Sequence, residues 1–160
     1  MAVVGEVPDH KAGDAFADRH ALRLAGVHRP PIAGICGTKK TGAESIVLNG
    51  GYVDDVDSWS TVIYTGHGGN DTGTGRQVSD QSWDSPGNAA LVASERTVSP
   101  VRVVRGYKGV TVYSPRSGYR YDGLYVVTRH WEEIGKDGFK ICRFALELID
   151  ESYDPPRQSG

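Results

Sequence analysis

Residues 100–128 read PVRVVRGYKGVTVYSPRSGYRYDGLYVVT. Val101 to Arg105, Val110 to Tyr113 and Leu124 to Thr128 are short runs of β-branched and aromatic residues, and glycine-containing pairs stand between them. Such runs, punctuated at short intervals, specify strands rather than helices. Outward from this stretch the same pattern covers Ser45 to Leu48, Trp59 to Thr65 and Phe139 to Leu148. Partial alternation, as in Val101 and Val103 against Arg102, suits sheets with one buried face. Turns are expected at Arg105-Gly106, Lys108-Gly109, Ser117-Gly118, Asp122-Gly123 and Asp137-Gly138. Many short strands separated in this way favour a barrel or a sandwich. Helix signals are fewer: Pro86-Gly87-Asn88 followed by Ala89 to Glu95 reads as one short capped helix. Asp14 to Ala25 supports two readings, since its alanines and leucines favour a helix after Asp14 while Phe16, Asp18 and His20 also fit one side of a strand.

The chain has 160 residues, 38% hydrophobic and 24% charged, which suits a single globular domain and excludes disorder over most of its length. Its 21 glycines point to a loop-rich architecture. No apolar run approaches the ~20 residues of a membrane span, so no membrane partner is expected. MAVVGEVPDHK has neither a basic region nor a long apolar stretch, which points to a chain kept in the cytoplasm, with the nucleoid, or in a nucleus. Cys36 and Cys142 belong to no Cys-x-x-Cys pair and are expected as buried reduced thiols.

Net charge is −2, yet its distribution is uneven. Residues 96–130 carry seven bases (Arg96, Arg102, Arg105, Lys108, Arg116, Arg120, Arg129) against Asp122 alone. A local basic surface can hold phosphates on a mildly acidic molecule. Solvated arginines on polar strand faces account for the same pattern equally well.

Residues 50–69, GGYVDDVDSWSTVIYTGHGG, set Asp54, Asp55 and Asp57 between Tyr52 and Tyr64. The spacing lacks the glycine and the twelfth-position glutamate of a calcium loop, so no metal is expected. Adjacent Asp54 and Asp55 on an extended chain point apart, which disfavours a catalytic carboxylate pair, and no catalytic residue or cofactor is assigned. A solvated turn capped by aspartates remains a simple alternative. A hairpin that brings Tyr52 and Tyr64 to one mouth would instead make a slot for a flat ring, where stacking on a base contributes ~1–3 kcal/mol per ring. One acid there would accept from the exocyclic amine of cytosine, and the N–H groups of Thr65 to Gly69 would serve the ring acceptors. That edge is hidden in a duplex, so the base would have to be turned out.

These residues resemble the SRA family (SET- and RING-associated, also YDG). The motifs are Gly13-Asp14-Ala15-Phe16, Gly26-Val27-His28-Arg29-Pro30, Val47-Leu48-Asn49-Gly50-Gly51-Tyr52, Asp54-Asp55, Tyr64-Thr65-Gly66, Gln81-Ser82, Pro100 to Arg105 and Tyr121-Asp122-Gly123. The resemblance implies a mainly β (α+β) fold, a saddle-shaped twisted barrel of the PUA-like class with a few helices. The domain would span 13–151, flanked by tails at 1–12 and 152–160. It also implies a strand over much of Asp14 to Leu22. Members of the family bind duplex DNA carrying 5-methylcytosine and flip the modified base into a pocket. Carried over by position, Tyr52 and Tyr64 sandwich the base, Asp55 accepts from its amine, Thr65 and Gly66 add backbone contacts, and Asn49 and Gly51 lie near the methyl group. Ile32 falls where the family inserts a thumb into the vacated space, and Arg29, Arg76, Gln77, Arg102 and Arg105 are candidate DNA contacts. Asp54 and Asp57 shape or solvate the turn, and Tyr121-Asp122-Gly123 is a turn feeding Leu124 to Thr128.

Two departures matter. Vertebrate CpG-reading members place an Asn-Lys-Arg finger where this chain has Gly75-Arg76-Gln77, and His67 replaces a small residue near the methyl pocket, which leaves 5-hydroxymethylcytosine open as a ligand. The expected function is therefore a DNA-binding module for modified cytosine, without catalysis of its own. The alternative is the reading domain of a modification-dependent HNH endonuclease, whose nuclease would be a fused or partner domain. Twelve arginines against six lysines, with common alanine and glycine, hint at a bacterial source.

Overall fold

The computed structural model describes residues 2–71, 74, 76–109 and 111–149. In order they form β1 (Ala15–Phe16), α1 (Arg19–Ala25), β2 (Ile35–Thr38), β3 (Gly42–Leu48), β4 (Val56–Asp57), β5 (Thr61–Thr65), α2 (Pro86–Thr97), β6 (Pro100–Gly106), β7 (Tyr119–Ile134) and β8 (Lys140–Leu148). Hydrogen-bonded strand order is β2-β3-β6-β7-β8-β5-β4, with β1 added on β7. The sheet is thus mainly β and open along this path, with β2 and β4 at its ends. Only the β3–β6 pair is parallel among the described ladders.

β7 organises the sheet. Its first half pairs with β6 and its second half with β8, and register shifts between Arg102 and Val104 and between Val127 and Arg129 bend it. Bulges of this kind increase the local twist, which gives the sheet its curvature. Asp122-Gly123, read above as a turn, lies inside β7. Gly123 supplies a backbone conformation at φ +96° that a side chain would strain, so the glycine marks an irregularity within the strand. Residues 111–113, expected as a strand, form a turn in which Ser114 N–H bonds the Thr111 carbonyl. Val110, the head of that expected strand, lies outside the described residues.

Asp14 to Ala25 contains a two-residue strand and then a helix, not the long strand implied by the resemblance. Asp18 caps α1 by accepting from the Ala21 N–H at 2.9 Å, and Gly26 closes it at φ +76°. α2 begins with Pro86 and runs as expected.

The central strands are buried on both faces rather than one. Ile46, Leu48, Val101 and Val103 join the larger core with Val62, Leu91, Tyr125, Phe144 and Leu146. Val47 and Val104 point the other way, into a second cluster with Val7, Leu22, Val27, Tyr119 and Tyr121. Residues 3–7, expected as part of a tail, are laid against this second face. Val7 is buried, Arg102 donates to the Val3 and Gly5 carbonyls at 2.7 Å each, and Tyr121 donates to Glu6. The expected tail at 152–160 lies outside the described residues.

Burial on both faces changes the reading of two arginines. Arg102 is 0% and Arg105 1% exposed, so neither presents a cation to DNA. Arg102 also donates to the Gly26 and Val27 carbonyls, and Glu44 lies 3.8 Å away. Arg105 binds Asp57 through two hydrogen bonds, at 2.6 and 2.7 Å, and Asp122 at 3.0 Å. Its guanidinium rests 4.3 Å from the Trp59 ring centroid. The two carboxylates hold its pKa above the ordinary arginine value against the cost of burial. Asp122 is also bound by Arg120. Truncation of Arg105 would leave both carboxylates without this buried counter-charge, so Arg105→Ala should cost about 3–5 kcal/mol of stability, measured by urea unfolding.

Candidate functional site

A cavity of about 310 Å³ opens beside the 50–57 loop, near the small end of the range for ligand pockets. Leu48, Gly50, Tyr52, Val53, Asp55 and Asp57 form one side, and Gly109, Thr111 and Ser114 the other. The three acids of this loop have separate fates. Asp54 accepts from the Lys136 N–H at 3.0 Å, which pins the loop to the β7–β8 turn. Asp57 is held by Arg105, as described. Asp55 faces the cavity and accepts from the Thr65 N–H at 2.7 Å.

Burial pushes the Asp55 carboxyl up to about 6, opposed by its hydrogen bonding to Thr65 and by the charge of Arg143. Tyr52 is half-buried beside it. The tyrosine hydroxyl accepts from the Gly68 N–H at 3.2 Å and donates to Asn70 at 3.4 Å. Tyr64 is 3% exposed, and its hydroxyl donates to the Gly34 carbonyl at 3.2 Å and the Val47 carbonyl at 3.4 Å. Asp55 and Tyr52 are close enough to Tyr64 to raise its pKa, after burial. Tyr52 and Asp55 thus lie on the cavity wall, whereas Tyr64 is packed in the core and does not line the cavity, so the expected slot between two facing tyrosine rings is not open in this structure.

Four of the five backbone donors expected to serve a base, those of Thr65 to Gly68, are already engaged. Thr65 N–H bonds Asp55, Gly66 N–H bonds the Cys142 carbonyl at 2.7 Å, His67 N–H bonds Asn88 Oδ1 at 2.6 Å and Gly68 N–H bonds Tyr52. These bonds hold the 65–68 segment against Asp55 and Tyr52, which line the cavity, while the segment itself does not. Two buried amides absent from the expected site support this segment. Asn88, on α2, donates to the His67 carbonyl at 3.0 Å. Gln81 donates to the Gly66 and Gly68 carbonyls at 2.6 and 3.0 Å and accepts from the Cys142 N–H. A Cβ on Gly66 would stand 2.5 Å from Asn88 Oδ1, so the close approach requires glycine.

Other expected residues fall less centrally. Asn49 accepts from the Lys108 N–H at 2.9 Å, fixing the opposite side of the cavity, and is not among its lining residues. Gly51 is exposed, with open space around its Cβ position, and the His67 side chain is also exposed. Arg29 pairs with buried Glu44. Gln77 is buried, donating to the Gly68 and Ser79 carbonyls, and its own N–H bonds Asp137. It supports its loop instead of projecting toward DNA. Arg76 remains 70% exposed while paired with Asp137. Gly75 lies outside the described residues. Ile32 projects from the 29–34 loop. Among the described residues no cluster of three or more His, Cys, Asp or Glu side chains could hold a metal, and no helix is long and apolar enough to cross a membrane.

The chain belongs to the SAD/SRA domain family, whose model matches residues 3–152. A UHRF1-like protein of Cryptococcus neoformans is 41% identical over 96% of this chain and 48% of its own length. Among solved structures, the modification-dependent TagI restriction endonuclease superposes with a TM-score of 0.88 at 50% identity, covering 91% of this chain and 52% of that one. The SUVH5 SRA domain, solved with methylated CHH DNA, gives 0.79 at 38% identity over 96% and 99%. The same domain bound to fully hydroxymethylated CG DNA gives 0.77 at 38%, covering 99% of each chain. The chain thus spans about half the length of the fungal relative and of TagI.

A raised Asp55 pKa fixes the sign of a stability effect. The folded state holds this proton more tightly than an unfolded chain, so the carboxyl opposes folding increasingly as pH rises from about 4 to about 6. Asp55→Asn should therefore be more stable than the parent protein at pH 7, and the difference should disappear near pH 4. Urea unfolding at both pH values checks it.

Proposed function

We propose that the chain is a modified-cytosine reader: it takes one base out of a DNA duplex into the Tyr52/Asp55 cavity. The observation that carries this reading is Asp55, a cavity-facing carboxylate beside the Tyr52 ring and next to Tyr64. A partly buried acid is an unfavourable neighbour for phosphates, and it is useful there only where a ligand brings a hydrogen-bond donor. The exocyclic amine of cytosine is such a donor, and an aromatic wall supplies the stacking that offsets turning the base out. The methylated and hydroxymethylated DNA in the SUVH5 structures supports 5-methylcytosine and 5-hydroxymethylcytosine as the ligand classes. Asn49 and Gly51, near the methyl group by family position, and exposed His67 and Arg76 complete the proposed contacts.

Binding by these residues needs no catalysis. The likeness to TagI supports a second reading, in which the chain is the DNA-reading part of a modification-dependent endonuclease and cutting belongs to another domain. The arginine-rich composition fits a bacterial setting for that version.

Affinity for one duplex carrying C, 5-methylcytosine or 5-hydroxymethylcytosine, at fixed salt, tests the proposal. The modified duplexes should bind at least tenfold more tightly than the unmodified one, and Asp55→Ala or Tyr52→Ala should abolish most of that preference. Equal affinity for all three would sink the reading. Because an ionised Asp55 accepts the amine, the preference should also decline as pH falls through about 6, as measured by titrations at pH 5 and pH 7.5.

A further inference from the structure

Ile32 is 87% exposed, the highest value for a large apolar side chain among the described residues. An isolated apolar residue gains nothing from water, and its setting is what gives it a use. The loop that carries it, residues 29–34, is tied at several points. Arg19, the first residue of α1, donates through one guanidinium nitrogen to the Pro30 carbonyl at 2.8 Å and the Ala33 carbonyl at 2.6 Å, on either side of Ile32. His28 Nε2 also lies 2.8 Å from the Ala33 carbonyl, and its Nδ1 lies 2.7 Å from Ser45 Oγ on β3. Burial pushes the His28 pKa down to about 3, which keeps the ring neutral and fixes it as donor to Ala33 and acceptor from Ser45. At the foot of the loop, the Gly34 carbonyl accepts from both the Val47 N–H at 2.8 Å and the Tyr64 hydroxyl at 3.2 Å.

Ile32 therefore stands on a braced loop whose foot is bonded to the core residue Tyr64. We infer that Arg19 is a positioning residue: it presets the loop of Ile32, the residue that the family resemblance places as the thumb filling the space a base leaves in the duplex. Without the brace, the loop would have to be ordered during binding, at about 1–2 kcal/mol per residue fixed. Insertion of apolar side chains between bases is an established way to stabilise unstacked DNA. The inference rests on the base-flipping reading proposed above and adds a role for a residue that need not touch DNA.

The test separates filling a gap from holding a base. A duplex with one 5-methylcytosine and the corresponding single strand are titrated with the parent protein, Arg19→Ala, Arg19→Lys, Ile32→Ala and the Arg19→Ala/Ile32→Ala double variant. The single strand has no vacated stack to fill. Arg19→Ala and Ile32→Ala should each weaken duplex binding about tenfold and single-strand binding less than about twofold. Arg19→Lys should recover part of the loss, and the double variant should be no weaker than Ile32→Ala, since both act through one wedge. Equal losses on duplex and single strand, or losses that multiply in the double variant, would overturn the role of Arg19 while leaving the base pocket intact. A parent protein with no preference for the modified duplex would remove the underlying reading itself.

Discussion

A buried ion network centred on Arg105 fixes the site to the sheet. Arg105 belongs to β6, Asp57 to β4 and Asp122 to β7, so a single guanidinium joins the edge strand beside the cavity to two central strands. β4 contributes only two residues to the ladder, too few to fix a loop by backbone bonds alone. The bidentate contact sets the position of Asp57, and with it the end of the 50–57 loop. At the other end of that loop, Asp54 is bonded to the β7–β8 turn. Tyr52 and Asp55 are thereby presented by an anchored segment, as the proposed recognition site would require.

The same charges explain why three neighbouring acids have different chemistry. Two are consumed by the fold, one by a guanidinium and one by a backbone N–H. Asp55 receives the Thr65 N–H and the distant influence of Arg143, and burial leaves it poised to change protonation within the mildly acidic range. Behind it, the amides of Gln81 and Asn88 occupy the carbonyls and N–H groups of the 66–68 segment. They thereby hold in place the glycine-containing segment that bonds Tyr52 and follows Thr65, the partner of Asp55.

Much of this was legible in the sequence. β-branched runs located β3, β5, β6 and β8, and Pro86 with the alanines after it located α2. The motif around Tyr52 and Asp55 pointed to the region of the cavity, while Tyr64, expected to face it, is buried in the core. What escaped was set by distance along the chain. Arg102 and Arg105 alternate with valines as solvent-facing residues do, and their burial depends on carboxylates and carbonyls as much as 99 residues away. Asp122-Gly123 has the composition of a turn, while its irregular glycine sits within a long strand. In Asp14 to Ala25 the cap at Asp18 and the closing Gly26 were both present, but the family resemblance favoured a strand. Buried amides such as Asn88 carry no periodic signal, so their support of the pocket emerges only from the fold.

The central claim is that a modified cytosine leaves its partner guanine to enter the Tyr52/Asp55 cavity. The most direct measurement is the imino proton resonance of that guanine, by NMR, in a duplex with one 5-methylcytosine as protein is added. Base extrusion predicts selective loss of this resonance on binding, with the neighbouring pairs retained and with no such loss for Asp55→Ala. A saturated complex in which the resonance persists would contradict the account.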